Sequence, residues 1–294
     1  MIKSISMKRL YQHKNLILYY CVMGEKAIIT GEAHCRANIN LPGGQEELIH
    51  KISEAGKKIV LVVMAGRPIT MENIIDKVDA ILFSFHPGTM GGPALVDIIT
   101  GKTSPSGKLA VTFPKVVTQI PIYYNHKRTG RPLIDANFVQ MDDIPVRAWQ
   151  TSLGNESHYI DIGYKPQFPF GFGLSYTSFE YSDIKLSQKK IKQGKSIIIT
   201  AQITNTGAIE GEEIVQLYVH DKVASITPPV KLLKGFKRIK LKPGKSDAVS
   251  FKLHTEDLAF YNHELKLVTE PGKFLVWIAP DSEKGLMKEF EIVE

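Results

Sequence analysis

The sequence predicts an α/β layer, a parallel sheet with helices, followed by an all-β sandwich. Three observations carry this. Between residues 16 and 114, apolar β-branched runs alternate with segments of helical spacing, and strand–helix–strand alternation builds a parallel sheet with helical crossovers. From residue 178 onward, short stretches alternate apolar and polar between Gly/Pro turns, as in a sandwich of roughly 100 residues. Between them, prolines and aromatics are frequent and neither period is sustained. The boundaries that follow are 1–114, 115–177 and 178–294.

In the first stretch, residues 59–64 (Ile-Val-Leu-Val-Val-Met) form a continuous apolar run, as expected of a strand covered on both faces. Residues 80–85 predict a second buried strand. Residues 45–55 place Leu48, Ile49 and Ile52 on one helical side, and residues 94–99 predict a short helix after a glycine cluster. In the middle stretch, a structureless connection of this length is unusual in a compact domain. It is better read as an ordered segment whose aromatics, Tyr123, Tyr124, Trp149, Tyr159, Phe168 and Phe170, are buried against another surface. In the last stretch, strands are expected over residues 196–205, 213–220, 231–241, 247–253 and 273–278. Turns are expected at Asn205-Thr206-Gly207, Pro228-Pro229, Pro243-Gly244 and Pro271-Gly272.

Composition narrows the function classes. The chain has 294 residues, 43% hydrophobic and 23% charged, which suits a globular chain and excludes a mostly disordered or fibrous one. No stretch approaches the roughly 20 apolar residues of a membrane-spanning helix, so no membrane partner is expected. The formal net charge is +7, but the cations are scattered and the densest run, residues 185–195, has no interleaved aromatics. A solvated loop is expected there, not a nucleic-acid interface, which needs charge gathered on one face. Cys21 and Cys35 allow at most one disulfide, so the fold does not depend on a disulfide framework.

The amino terminus reads two ways. Residues 1–14 are basic and residues 16–23 apolar, the outline of a secretory leader, yet no A-x-A-like cleavage site follows and Tyr20 is too bulky for a lipid-attachment site at Cys21. The favoured reading is a buried strand over residues 16–23.

Several short motifs fail on inspection. Gly101-Lys102-Thr103 has Asp97 where a phosphate-binding loop needs glycine, and it follows a helix instead of opening one. Gly171-Phe172-Gly173 lacks the third glycine of a dinucleotide site. Gly173-Leu174-Ser175-Tyr176-Thr177 is not the G-x-S-x-G of a nucleophile elbow. His34 and Cys35 are adjacent, which rarely lets both side chains reach one metal. No cofactor and no metal site is therefore expected. Two clusters remain. Residues 87–92, with Gly88, Thr89 and Met90, follow a parallel strand and precede a helix, where open α/β sheets bind ligands; a tight turn fits equally well. Gly31-Glu32-Ala33-His34-Cys35-Arg36-Ala37-Asn38 is polar and near a buried strand. Glu32 there could serve as a general acid or base with Arg36 beside it, or as an ordinary exposed loop glutamate.

Read in order, these pieces resemble a known family. Gly24-Glu25, the 31–42 stretch ending Ile39-Asn40-Leu41-Pro42, Val62-Val63-Met64-Ala65-Gly66-Arg67-Pro68, residues 87–92, and Pro105-Ser106-Gly107-Lys108-Leu109 with Thr112-Phe113-Pro114 resemble the second, α/β domain of glycoside hydrolase family 3. Residues 120–126 with Thr129-Gly130-Arg131-Pro132, and residues 168–177, are similar to the segment that follows it in bacterial β-glucosidases. Residues 178–294 resemble the fibronectin type III-like domain that ends those enzymes.

The resemblance implies a retaining β-glucosidase, acting on a β-glucoside or oligosaccharide through a covalent glycosyl-enzyme intermediate. In the family the nucleophile is an Asp on an amino-terminal (β/α)8 barrel, and the acid/base is a Glu from the second domain. Glu32 matches that Glu in the Gly-Glu-Ala-x-x-Arg stretch, so it would protonate the departing glycosidic oxygen and later activate water. Arg36 and Asn38 would support it, although many relatives carry Asp at the latter position. Gly88, Thr89 and Met90 are candidates for a substrate-facing loop. This chain shows no barrel motif, so the expectation is a carboxyl-terminal portion: a partial α/β sandwich, its sheet lacking early strands, which on its own hydrolyses little or nothing. The alternative is a non-catalytic module that binds glycan or docks on a barrel-bearing partner. The family is typically periplasmic or secreted. The oligomeric state, monomer or homo-oligomer, and the sugar and linkage preferred stay open.

Overall fold

The computed structural model describes residues 18–151 and 153–294. The leader-like residues 1–14 and the first two residues of the expected strand at 16–23 lie outside the described residues. The chain divides into two compact units. One comprises the described residues up to Lys102 together with Phe113–Pro121; the other comprises Thr103–Thr112 and Ile122–Glu294.

The first unit is built on three parallel strands, β1 (Leu18–Gly24), β2 (Lys58–Met64) and β3 (Ala80–Phe83), in spatial order β1-β2-β3. Because β2 is central, Ile59, Leu61, Val62 and Val63 are all buried, which is why its sequence is a continuous apolar run and not an alternation. β1 does alternate: Cys21 and Met23 are buried, whereas Tyr20 and Val22 are 53% and 63% exposed. Helix α1 (Gln45–Ser53) links β1 to β2 and turns Ile49 and Ile52 inward. Glu46 and Glu47 in its first turn and His50 and Lys51 in its last match the helix dipole.

Helix α2 (Gly91–Ile99) follows β3 and begins three residues before the periodicity predicts. Pro93 falls in its first turn, where a missing N–H costs nothing, and the helix stops at Gly101, whose φ is +78°. β3 ends two residues short of the expected run because Phe85 has left the extended region, at φ +50°. Phe83 packs edge-on against Phe85 and Phe113, with ring centroids 4.7 and 4.8 Å apart.

The second unit is a β-sandwich. One sheet holds β4 (Phe179–Leu186), β6 (Ser196–Asn205) and β9 (Ser246–His254) in the order β4-β6-β9. The other holds β5 (Lys190–Lys192), β13 (Leu286–Val293), β12 (Gly272–Ala279), β7 (Gly211–Asp221) and β8 (Leu232–Leu241), in the order β5-β13-β12-β7-β8. A two-stranded ribbon pairs β10 (Phe260–Tyr261) with β11 (Leu267–Val268). Alternation decides the core: Ile197, Ile199, Ala201 and Ile203 of β6 are fully buried and face Phe274, Val276 and Ile278 of β12, with Phe290 and Ile292 of β13 in the same cluster. All five expected strands are present. β4, β5 and β13, rich in charged residues, lie outside the sequence prediction, as do β10 and β11; β5 replaces part of the loop expected over residues 185–195, because Ile191 is buried in the core and its strand pairs with β13.

Residues 122–177 belong to this second unit. Their aromatics correct the expectation of general burial. Tyr124 stacks on Phe170 at 4.3 Å and Phe168 on Phe172 at 5.2 Å, but Trp149 is 85% exposed, and Tyr123 and Tyr159 are also exposed. Residues 134–151 run through short 3-10 turns and bends, which bring no sheet or helix face over the Trp149 ring.

Candidate functional site

The strand register places three loops on one edge. Gly24 pairs with Met64, and Val63 pairs with Phe83. The segments after β1, β2 and β3 therefore all leave the carboxyl edge of the parallel sheet, where α/β folds carry their sites. Gly24 sits at φ +144°, and a Cβ there would come within 1.9 Å of the Met64 carbonyl oxygen. Glycine lets the two backbones close up, so that Glu25 N donates to that oxygen at 3.0 Å. The Gln45 side chain accepts from Gly24 N at 2.8 Å and donates to Gly24 O at 2.9 Å.

The Glu25 side chain is fully buried and clamped by two guanidiniums. Arg36 Nη1 lies 2.6 Å from Oε1 and Arg67 Nε 3.0 Å from Oε2, while Thr30 Oγ1 donates to Oε2 at 3.1 Å. The same arginines tie down the loop backbone. Arg67 Nη2 donates to the carbonyls of Ile29 and His34, each at 3.1 Å, and Arg36 Nη2 to that of Asn40 at 2.9 Å. A buried carboxylate is tolerable only when its oxygens are paired this fully. The cluster fixes residues 25–40 as one rigid excursion from the sheet.

Glu32 rides at the exposed tip of that excursion. Gly31 and Ala33 both have positive φ, +129° and +63°, and His34 N closes a turn onto Gly31 O at 3.2 Å. His34 Nδ1 lies 2.7 Å from the Glu32 carbonyl. Arg36 thus reaches Glu25, and acts on Glu32 only through the loop. Asn38 Oδ1 accepts from Asn40 N at 2.8 Å, capping the return. Gly88, Thr89 and Met90 are exposed in the turn between β3 and α2, with Gly88 at φ +70° and Gly91 N bonded to Gly88 O at 3.1 Å. They share the sheet edge with Glu32 but leave it two strands away.

Sequence reasoning gave no role to Glu25, Thr30 or Arg67. The available signal was a Gly-Glu pair at one strand end and Gly-Arg-Pro at the next. Between Ala65 and Arg67, Gly66 lies so close to the His86 ring that a Cβ would be 2.7 Å from Nε2. Cys21 and Cys35 are both free thiols, and burial pushes the Cys21 thiol up. Among the described residues, no three His, Cys, Asp or Glu side chains converge as a metal site, and no helix is long and apolar enough to cross a membrane. Chemically, the arrangement offers one exposed carboxyl group, held by a rigid loop, to whatever binds against the sheet edge.

Comparison with known proteins gives the family. Residues 11–176 match the glycosyl hydrolase family 3 C-terminal domain, and residues 213–282 match the fibronectin type III-like domain. The chain is 40% identical over 274 residues to the periplasmic beta-glucosidase of Salmonella typhimurium, covering 92% of this chain and 34% of that protein. It is 36% identical to a beta-xylosidase of Formosa agariphila, covering 94% of this chain and 35% of the relative. The crystal structure of a beta-glucosidase from Listeria innocua in complex with glucose superposes with a TM-score of 0.88 at 36% identity, covering 99% of this chain and 39% of that one. The chain spans about a third of the length of the curated relatives it matches. A domain match across more than half the chain places this protein in glycoside hydrolase family 3, as its C-terminal domain joined to a fibronectin type III-like domain.

Proposed function

We propose that this chain supplies the proton-transfer half of a retaining β-glycosidase site, with Glu32 as general acid and then general base. The observation that carries the reading is the placement of an exposed carboxyl at the sheet's carboxyl edge, on a loop made rigid by Glu25, Arg36 and Arg67. Proton donors must be held within hydrogen-bond reach of the departing oxygen, and a pinned loop does that at no entropic cost during the reaction. In the first step Glu32 gives its proton to the glycosidic oxygen as the C–O bond breaks, while a carboxylate outside this chain bonds to the anomeric carbon. In the second step Glu32, now ionised, takes a proton from water, and the water oxygen displaces that carboxylate. Retention requires the two carboxyls about 5–5.5 Å apart, so this chain by itself is expected to be inactive. β-Glucosides are the substrates the relatives' names favour, with β-xylosides next, and the Salmonella relative's name favours a periplasmic or secreted place.

A second reading, an assembly module without catalysis, draws on the exposure of Tyr20 and Val22 on β1. One experiment separates the two. The matching third of the Salmonella relative is replaced by this chain, and hydrolysis of aryl and alkyl β-glucosides is measured. The catalytic reading expects turnover that falls about 10²–10⁴-fold on Glu32→Gln, with the loss smaller for aryl glucosides, whose leaving group needs less protonation. Full activity in the Glu32→Gln chimera would refute the assignment and leave assembly as the role.

A further inference from the structure

The second unit contains a cavity of about 430 Å³ that the proposed chemistry does not use. That volume lies within the roughly 300–1,000 Å³ usual for small-ligand sites. Its walls come from Thr112 and from residues between 122 and 169 on one side, and from Val230 and Lys231, just before β8, and the turn before β13 on the other.

The cavity is preorganised. Tyr124 stacks on Phe170 and meets Tyr218 edge-on at 5.9 Å. Val230 N donates to His126 O at 2.9 Å, and Ser282 N to Phe170 O at 2.9 Å. Lys231 Nζ donates to Ser282 O at 2.6 Å and lies 4.5 Å from the Trp277 ring centre. Tyr164 donates its hydroxyl proton to Asp135 at 2.6 Å, and Lys165 pairs with the other Asp135 oxygen at 2.7 Å. Against these fixed groups Tyr123 presents a ring that is 60% exposed.

The lining chemistry selects the ligand. Two ammoniums, Lys165 and Lys231, face two carboxyls, Asp135 and Glu283, so neither an anion nor a cation is favoured by net charge. Donors and acceptors sit side by side, next to apolar surface from Tyr123, Ile122 and Pro166. A ligand whose every polar group both donates and accepts, and which also has an apolar face, satisfies all of these at once. We infer that this cavity is a binding site for a neutral sugar: hydroxyls bridge Glu283 and Lys231, and a C–H face lies on the Tyr123 ring. Burial supports the picture, pulling the Lys231 ammonium down to about 8 and pushing the Glu283 carboxyl up. Both groups gain when ligand hydroxyls replace lost water. The residues lining the cavity belong to the second unit and Glu32 to the first.

Cellobiose and inorganic phosphate, titrated separately into the isotopically labelled 294-residue chain and followed by amide NMR, test it. Cellobiose should shift the amides around residues 122–126 and 281–284 with a Kd of about 1–10 mM. Tyr123→Ala, an exposed position whose loss does not threaten folding, should weaken binding about tenfold. Glu283→Gln should weaken it several-fold, and Glu32→Gln should leave it unchanged. Absence of cellobiose shifts, shifts that persist undiminished in Tyr123→Ala, or tighter binding of phosphate than of cellobiose would each overturn the inference while leaving the role of Glu32 intact.

Discussion

Arg67 Nε stands 3.0 Å from Glu25 Oε2, joining the segment after β2 to the segment after β1 across a fully buried carboxylate. With Arg36 on the other oxygen, this pair sets the shape of the loop that bears Glu32. Removing the carboxylate's charge strands two half-buried guanidiniums, so Glu25→Gln is expected to cost about 3 kcal/mol. Both tryptophans, Trp149 and Trp277, lie in the second unit, and the α-helices among the described residues, α1 and α2, lie in the first. Urea unfolding followed by helical circular dichroism should therefore show the loss, while tryptophan fluorescence follows the second unit. A Glu25→Gln variant with an unchanged circular-dichroism midpoint would mean that the cluster does not hold the loop.

The residue before Glu25 makes a separate prediction. Gly24→Ala must bring a Cβ to 1.9 Å from the Met64 oxygen at φ +144°. The backbone has to separate there, losing the Glu25 N to Met64 O bond, at a cost of about 3 kcal/mol. Gly56, at φ +64° and with open space for 4 Å around the position a Cβ would take, is the control. Gly56→Ala should cost about 1 kcal/mol, from backbone strain alone. Equal losses for the two variants would show that φ, and not the close approach of β1 to β2, decides the glycine.

Some of this architecture is legible in the sequence and some is not. The continuous run of β2 and the strict alternation of β6 reveal their layers, because burial on two faces or one writes itself as a period. β13 carries Lys288, Glu289 and Glu291 among its apolar residues, so its period is drowned by charges that pair across the sheet surface, as Glu289 does with Lys222 and Lys273. The role proposed for Glu32 rests on the Gly-Glu-Ala-x-x-Arg resemblance; by composition it is as readily one more loop glutamate. The Glu25 clamp was not legible, since its partners are 11 and 42 positions away and a local pattern does not encode which arginine reaches which acid. The exposure of Trp149 went unread for the related reason that an aromatic in a long turn-rich segment is buried only if some other surface happens to cover it.

Asn205, at the end of β6, uses its whole amide inside the sandwich. Nδ2 donates to the carbonyls of Ile209 and Leu241 at 2.8 and 2.9 Å, and Oδ1 accepts from Thr177 Oγ1 at 2.6 Å and Gly207 N at 3.0 Å. The residue is completely buried. Asn205→Ala leaves these groups without partners and is expected to cost about 3 kcal/mol. Asn205→Asp should cost at least as much, because a carboxylate oxygen would then face two carbonyl oxygens at hydrogen-bond distance. Lower urea midpoints by tryptophan fluorescence check both. A smaller loss for Asp than for Ala would indicate that the two carbonyls readily find other donors.

Asp221 ends β7 half-buried, accepting from Val223 N at 3.2 Å. Burial, reinforced by the nearby Glu270, pushes its carboxyl up from 3.8 to about 6. The folded state then holds a proton that the unfolded chain releases, so between those values folding binds protons and stability falls as pH rises. The favourable contribution is complete below pH 3.8 and gone above about 6. At pH 7 the folded protein bears an ionised, partly desolvated acid, and Asp221→Asn removes that burden while its amide oxygen still accepts from Val223 N. After discounting for solvent screening, the variant should gain about 1 kcal/mol at pH 7. The advantage should shrink to nothing near pH 4, where the native side chain is itself largely protonated. Thermal unfolding of both proteins across that range measures the difference; a gain independent of pH would assign the effect to local packing and not to the charge.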